Sequence, residues 1–268
     1  MAEPTFDRAR FASRLATRRL GHTLLLRAET TSTNDDAWDA AAAGAKDGTV
    51  AIADHQTQGR GRAGRTWHDP PGAALTMSLL LHPGCDGAAF STAPLVAGLA
   101  LAKALDGLGV DAELKWPNDL LLGGRKLAGV LCESRHRAEG THAFVMGVGV
   151  NVSQRALDFP AELRDGATSL ALAGHELDRE ILAAAFLSSL EPMWDEHQEG
   201  DAGVALEAWR ARARFWGQPV TVRAPGGMLH GNAMSLAEDG ALIVRTENGE
   251  DVRVLAGDVR SGPAWESA

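Results

Sequence analysis

A chain of 268 residues is long enough for one sizeable core and a small second domain, since compact domains commonly run to ~100 to 200 residues. Hydrophobic residues make up 45% and charged residues 23%, as in an ordinary globular protein, and no apolar run approaches the ~18 residues of a membrane span, which excludes a helical membrane anchor. The formal net charge of -9 and a pI near 5.5 argue against a broad nucleic-acid-binding face and confine any cation cluster to one place.

Cys85 and Cys132 lie far apart with no CxxC spacing, so neither a zinc cage nor a disulfide framework is indicated, and a reducing cytoplasm fits best. The N-terminal stretch MAEPTFDRARFASRLATRRL is Arg-rich, yet it carries Glu3 and Asp7 and lacks the apolar segment of a secretory signal; it reads as a first helix, with a transit peptide as the alternative. Lys46, Lys103, Lys115 and Lys126 are the four lysines among 26 basic residues. A genome bias towards arginine is the plain explanation, and under such a bias a retained lysine is one needed as a compact point charge.

HTLLLRAE (22–29) reads as a strand and STNDDAWDAAAAG (32–44) as a helix opened by Ser32 or Thr33 and stopped by Gly44. TVAIADHQ (49–56) and ALTMSLLLHP (74–83) read as two more strands, the second buried, followed by a long helix from about Thr92 to Leu108. ELKWPNDLLLGGRKLAGVLCES (113–134) has the turns of a meander, and HAFVMGVGVNVS (142–153) completes the sheet. Two helical stretches cover about 178–214. After Trp216 short alternating segments broken by PGG, EDG and ENG turns predict a small β-barrel, which places a domain boundary near that residue, between 1–216 and 217–268.

Between the second and third strands lies GRGRAGRTW (59–67), three arginines framed by glycines in an acidic chain. Its glycines match GxGxxG, but Pro70 and Pro71 stop the helix that a dinucleotide fingerprint requires, and no Lys-Ser/Thr follows as in a P-loop. An RGG-like RNA-contacting segment or a merely solvated loop are the other bland readings. Glycine permits large backbone swings and arginine grips anions through charge-assisted, often bidentate bonds, so the stretch also suits a lid over a phosphate. KWPND (115–119) supplies Lys115 for phosphate oxygens and Asp119 for a magnesium ion. RKLAG (125–129) places Lys126 at a hairpin, and GVGVN (147–151) offers close backbone approach with Asn151 beside it. Singly each could be structural, because Pro117 and Asn118 are ordinary turn formers and Gly147 and Gly149 can mark a bulge. Together and in this order they favour the lid.

The ordered set TTSTND, Q-x-x-GRGRxGRxW, KWPND, RKLAG and GVGVN resembles the catalytic region of biotin protein ligases over roughly residues 22–261, and the β-rich tail is similar to the domain that ends that family. The resemblance implies an α+β fold, a mixed β-sheet flanked by helices of the class II synthetase-like kind, with a small C-terminal SH3-like β-barrel. It implies ATP-dependent joining of biotin to a lysine of a biotin carboxyl carrier domain through biotinyl-5′-AMP, with Mg²⁺ and release of pyrophosphate. Carried over by motif, Ser32, Thr33, Asn34, Gln56, Gly59, Arg60, Gly61, Arg62, Lys126 and Gly129 would bind biotin. Arg62, Arg65, Trp67, Lys115, Asn118, Asp119 and Asn151 would bind ATP, Trp67 packing on adenine and Asp119 holding the metal. Lys126, Arg62 and Lys115 would carry the chemistry. Cys132 is read as a small buried hydrophobe without a catalytic role.

Only about 21 residues precede the first expected strand, too few for a DNA-binding domain of ~60 residues, so a ligase without DNA binding is expected, as a monomer or weak homodimer, in the cytoplasm and off the membrane. A lipoate or octanoate ligase or transferase, and a non-catalytic biotin sensor, are the competing functions.

Overall fold

A computed structural model describes residues 3–82, 89–136, 142–199 and 202–261. Cys85 and Pro83, the end of the strand expected over 74–83, lie outside them. Among the described residues no helix is long and apolar enough to cross a membrane.

The expected N-terminal helix is a short one, α1 (Arg8–Ala12), whose first amide protons, those of Ala9 and Arg10, are accepted by Asp7 at 2.9 and 3.0 Å. Then follow β1 (Leu24–Thr30), α2 (Thr33–Ala42), β2 (Val50–Gln56), β3 (Ala74–Leu81), α3 (Ala89–Gly107), β4 (Glu113–Lys115), β5 (Asp119–Leu122), β6 (Arg125–His136), β7 (His142–Asn151), α4 (Arg179–Gln198) and α5 (Gly203–Arg212). The seven strands form one sheet in the order β1-β2-β3-β7-β6-β5-β4. It is mixed: β1 runs parallel to β2, and every other pair is antiparallel. The meander expected over 113–134 is β4-β5-β6, and β7 pairs with β6 across nine rows, from His136–His142 to Ala128–Val150.

The alternation along β3 shows how the sequence builds two faces. Leu75, Met77, Leu79 and Leu81 belong to the main core with α3 and α4 residues such as Leu99, Leu101, Phe186 and Leu190, whereas Leu80 joins Ala51, Val145 and Trp38 of α2 on the other side. Towards its other end that α2 face changes character: Ser78 sits opposite Gly147 and Thr76 opposite Gly149, with Gly129 opposite Gly149 on the next strand. Three glycines and two small polar residues cannot fill the space that Leu80 and Val145 fill, so the sheet is hollow there.

Residues Pro219 to Ser261 form a second, antiparallel sheet of β8 (Pro219–Ala224), β9 (Gly227–Leu236), β10 (Leu242–Arg245), β11 (Asp251–Val254) and β12 (Asp258–Ser261), in the order β11-β10-β9-β8-β12. Its inward residues Val220, Val222, Leu242 and Val244 are continuous with the main core, and the buried Trp116 indole donates to Gly240 O at 3.0 Å. The small sheet is therefore packed against the meander turn that carries Lys115 and Asp119.

Candidate functional site

The hollow is a cavity of about 330 Å³ between the α2 face of the sheet and the arginine-glycine loop. Its floor is the start of α2. Ser32 is the N-cap residue, yet its hydroxyl makes no capping bond, which leaves it facing the cavity it lines. Gln56 Oε1 accepts both the backbone amide and the hydroxyl of Thr33, at 2.9 and 3.1 Å. Ser78 Oγ lies 2.7 Å from Thr33 Oγ1 and 2.6 Å from Asn34 Oδ1. All five side chains are buried, and none carries a charge.

The mouth is cationic. Gly59 O accepts the Trp67 amide at 2.9 Å and closes the loop base, while the Trp67 indole lies across Gly149, where a Cβ would come within 2.6 Å of its ring. Each arginine pins the loop to a different element. Arg60 grips Asp35 of α2 with two bonds of 2.7 Å and stands 3.7 Å from Glu133 of β6. Arg62 donates to Asn118 Oδ1 at 3.0 Å; burial holds its guanidinium below the ordinary value. Arg65 reaches Asp258 of β12 at 2.6 Å. The Arg60 guanidinium in turn holds Asp35 below the usual carboxylate range.

Behind the loop, Lys126 Nζ donates to Asp119 Oδ1 at 2.7 Å, and a Cβ at Gly129 would come 3.3 Å from that same Nζ. Lys115 stands opposite Asp119 in the β4–β5 pair, and burial lowers its pKa, with Asp119 acting against that effect. Asn118 Nδ2 donates to Val130 O at 2.7 Å, so the KWPND turn, which contains a cis Trp116–Pro117 bond, is locked to β6. Among the described residues no group of three or more His, Cys, Asp or Glu side chains converges as a metal cage. Asp119 as one carboxylate suits an ion held mainly by a ligand's phosphates, which is how Mg²⁺ is commonly bound.

Most of the expected site residues line this one cavity: Ser32, Thr33, Asn34, Gln56, Arg60, Gly61, Arg62, Arg65, Trp67, Asn118, Lys126, Gly129 and Asn151. Gly59, Lys115 and Asp119 stand behind its wall. Asn151 lines the wall with both amide groups engaged, Nδ2 on Thr168 O and Oδ1 on Gln154 Nε2, each at 2.9 Å, so it anchors the segment that follows β7. That segment is what the sequence reading missed. Its 3₁₀ turns (156–158, 161–163, 171–173) return to β6, with Lys126 N donating to Gly166 O at 2.8 Å and Thr168 N to Lys126 O at 2.9 Å. They bring Phe159, Glu162 and Leu163 to the cavity, which Arg260 of β12 also lines. Cys132 is half-buried against the main core, and desolvation pushes its thiol up, which disfavours the thiolate.

The profile of the "Biotin/lipoate A/B protein ligase family" matches residues 26–151, and that of the "Biotin protein ligase C terminal domain" matches 215–260. The biotin--[acetyl-CoA-carboxylase] ligase of Mycobacterium tuberculosis is 38% identical over 241 residues, spanning 87% of this chain and 86% of that one. The chain belongs to the biotin protein ligase family. Its fold is the one the resemblance implied, a mixed sheet flanked by helices with a C-terminal domain consistent with an SH3-like barrel. A solved biotin protein ligase from Aquifex aeolicus, in complex with biotin and ATP, superposes with a TM-score of 0.78 at 27% identity over 90% of this chain and 100% of that one. The bifunctional ligase/repressor BirA of Bacillus spizizenii is 31% identical over 250 residues, 92% of this chain and 77% of that protein.

Proposed function

We propose that this biotin protein ligase activates biotin with ATP and transfers it to one lysine of a biotin carboxyl carrier domain. A biotin carboxylate oxygen bonds to the α-phosphorus of ATP as pyrophosphate leaves; the acceptor's neutral amine then attacks the acyl carbon of the biotinyl-5′-AMP and AMP departs. The observation that carries this reading is the division of one cavity into a neutral, hydrogen-bonding floor and a cationic mouth. A cyclic urea has donors and an acceptor to satisfy such a floor, whereas a lipoyl dithiolane has neither donor, and sites with buried polar groups reject ligands that leave those groups unpaired.

Two anions meet in the first step, and positive charge fixed in a dry site offsets their repulsion. Lys126, backed by Asp119, is set where the floor meets the mouth and holds the biotin carboxylate and then the acyl phosphate. Arg62, partly desolvated, faces the phosphates, Lys115 adds its charge from behind the wall beside Asp119, and Trp67 on Gly149 offers its ring to adenine. A bound Mg²⁺ would sit at Asp119 and neutralise phosphate charge. The arginine loop, tethered at Asp35, Asn118 and Asp258, keeps water from the mixed anhydride. Residues 1–216 form the ligase domain on this reading and 217–268 the accessory barrel, whose Asp258 and Arg260 complete the mouth.

The test is incubation with biotin, Mg²⁺-ATP and a carrier domain. A biotin-dependent ATP–pyrophosphate exchange and the mass gain of one biotinyl group on the carrier are expected; exchange driven equally by lipoate would overturn the reading.

A further inference from the structure

We propose that Ser78 and Gly147 are positioning residues that fix which end of the Asn34 amide faces the ligand, and so make the cavity floor a hydrogen-bond donor that selects an acceptor oxygen. This rests on biotin being the ligand of the floor.

Asn34 lies in the first turn of α2, is 4% exposed and lines the cavity. Its Oδ1 is 2.6 Å from Ser78 Oγ, a length typical of O–H···O and short for N–H···O. On its other flank is Gly147, whose Cβ, if it had one, would come 2.3 Å from that oxygen; the hydrogen standing there is directed at Oδ1, an arrangement that suits an oxygen and repels an amide N–H. Thr33 gives its hydroxyl proton to Gln56 Oε1, so Ser78 has the one proton for its two short contacts, and the shorter of them is to Asn34 Oδ1. On the other end of that amide, Asn34 Nδ2 is left buried with no partner.

A buried amide N–H₂ without a partner costs stability in the empty protein, and the cost is recovered only when a ligand offers an acceptor. The carbonyl oxygen of a cyclic urea is such an acceptor. The sheet thus sets the polarity of the floor from behind: Ser78 is fully buried on β3, and Gly147 is its partner across the β3–β7 pair.

The experiment compares biotin with 2-iminobiotin, whose imine nitrogen, protonated at neutral pH, replaces the acceptor oxygen by a donor. ATP–pyrophosphate exchange gives the kcat/KM ratio of the two ligands, and calorimetry gives their binding without ATP. Ser78→Ala frees the amide to turn, so the ratio is expected to fall about tenfold, the worth of one neutral hydrogen bond, through a higher KM for biotin with kcat and the KM for ATP little changed. Gly147→Ala, which leaves the hydroxyl in place and crowds the oxygen, should lower the same ratio. Thermal unfolding of both variants excludes loss of fold as the cause. A loss that strikes both ligands equally in both variants would overturn the inference alone, and a wild-type protein that neither binds nor exchanges biotin overturns it together with the proposed function.

Discussion

At the floor of the cavity Thr33, Asn34, Gln56 and Ser78 are neutral and buried. At the mouth the side chains of Arg60, Arg65 and Lys126 are 39%, 55% and 36% exposed, each paired with a carboxylate. Half-exposed ion pairs contribute little to stability, roughly 0 to 1 kcal/mol each, and can exchange one anion for another. A buried neutral network is different, because each broken member leaves an uncompensated group. The floor is therefore built to read shape and hydrogen-bond polarity, and the mouth to open, admit charge and close. If this division is right, perturbations of charge should act on the phosphate chemistry and spare recognition of the urea ring.

The largest effect is expected from Lys126→Ala. Removal of a charge aimed at the reacting group commonly costs ~100- to 1000-fold in rate, so biotin-dependent pyrophosphate exchange should fall by that order. Biotin methyl ester, which has the ring but no carboxylate, should bind wild type and variant alike in calorimetry. Equal weakening of the ester would merge floor and mouth into one structural unit and break the comparison.

Arg62→Ala comes next. Its guanidinium is the most buried of the loop's three, tied to Asn118 at 3.0 Å, and its removal should raise the release of radiolabelled adenylate by about tenfold, as expected for a charge-assisted bond of ~1.5 kcal/mol or more. An unchanged release rate would count against the loop as a lid. Smaller again is the effect of salt. Raising ionic strength from about 50 mM to about 500 mM shortens the screening length from ~14 to ~4 Å, so the Arg60–Asp35 and Arg65–Asp258 tethers loosen. The KM for ATP should rise a few-fold and the affinity for biotin methyl ester should stay constant.

The same contrast explains what could be read in the chain itself. The mouth was legible because its chemistry is written in charges and glycines: GRGRAGRTW, KWPND and RKLAG stand out from an acidic background. Strands and helices followed their periodicities, so β2, β3, β6, β7 and α2 fell close to where alternation placed them. Ser78 did not stand out. Inside ALTMSLLL (74–81) a serine looks like one small residue in a buried strand, and only the register of β3 against β7 and the packing of α2 show that it meets Asn34. The segment after Asn151 was silent for another reason: its 3₁₀ turns have neither helical nor strand period, and they are held by long-range bonds to Lys126 and Asn151. Arg260 belonged to a short barrel strand, with nothing local to mark it as part of the mouth.

One buried charge lies outside this division and gives the smallest and most specific test. Asp69 is 4% exposed. It accepts the Gln56 backbone amide through Oδ2 at 2.9 Å, while Oδ1 is buried with no partner. Burial raises its pKa from 3.8 to about 7, against the pull of the Gln56 bond and of His55. Below pH 4 folded and unfolded chains both hold the proton and the contribution to stability is complete. Between about 4 and 7 the unfolded chain gives up its proton and the folded one keeps it, so this contribution falls as pH rises; above 7 both are ionised and the loss is finished. Asp69→Asn keeps the shape and an acceptor for Gln56 and removes the charge. It should be more stable than wild type at pH 8 by on the order of 1 kcal/mol, with the advantage vanishing near pH 4, as urea unfolding at the two pH values would show. Since Asp69 supports the strand end that carries Gln56 but does not line the cavity, the variant should leave the biotin to 2-iminobiotin ratio unchanged, which separates a residue that merely sits under the floor from Ser78, which sets its polarity.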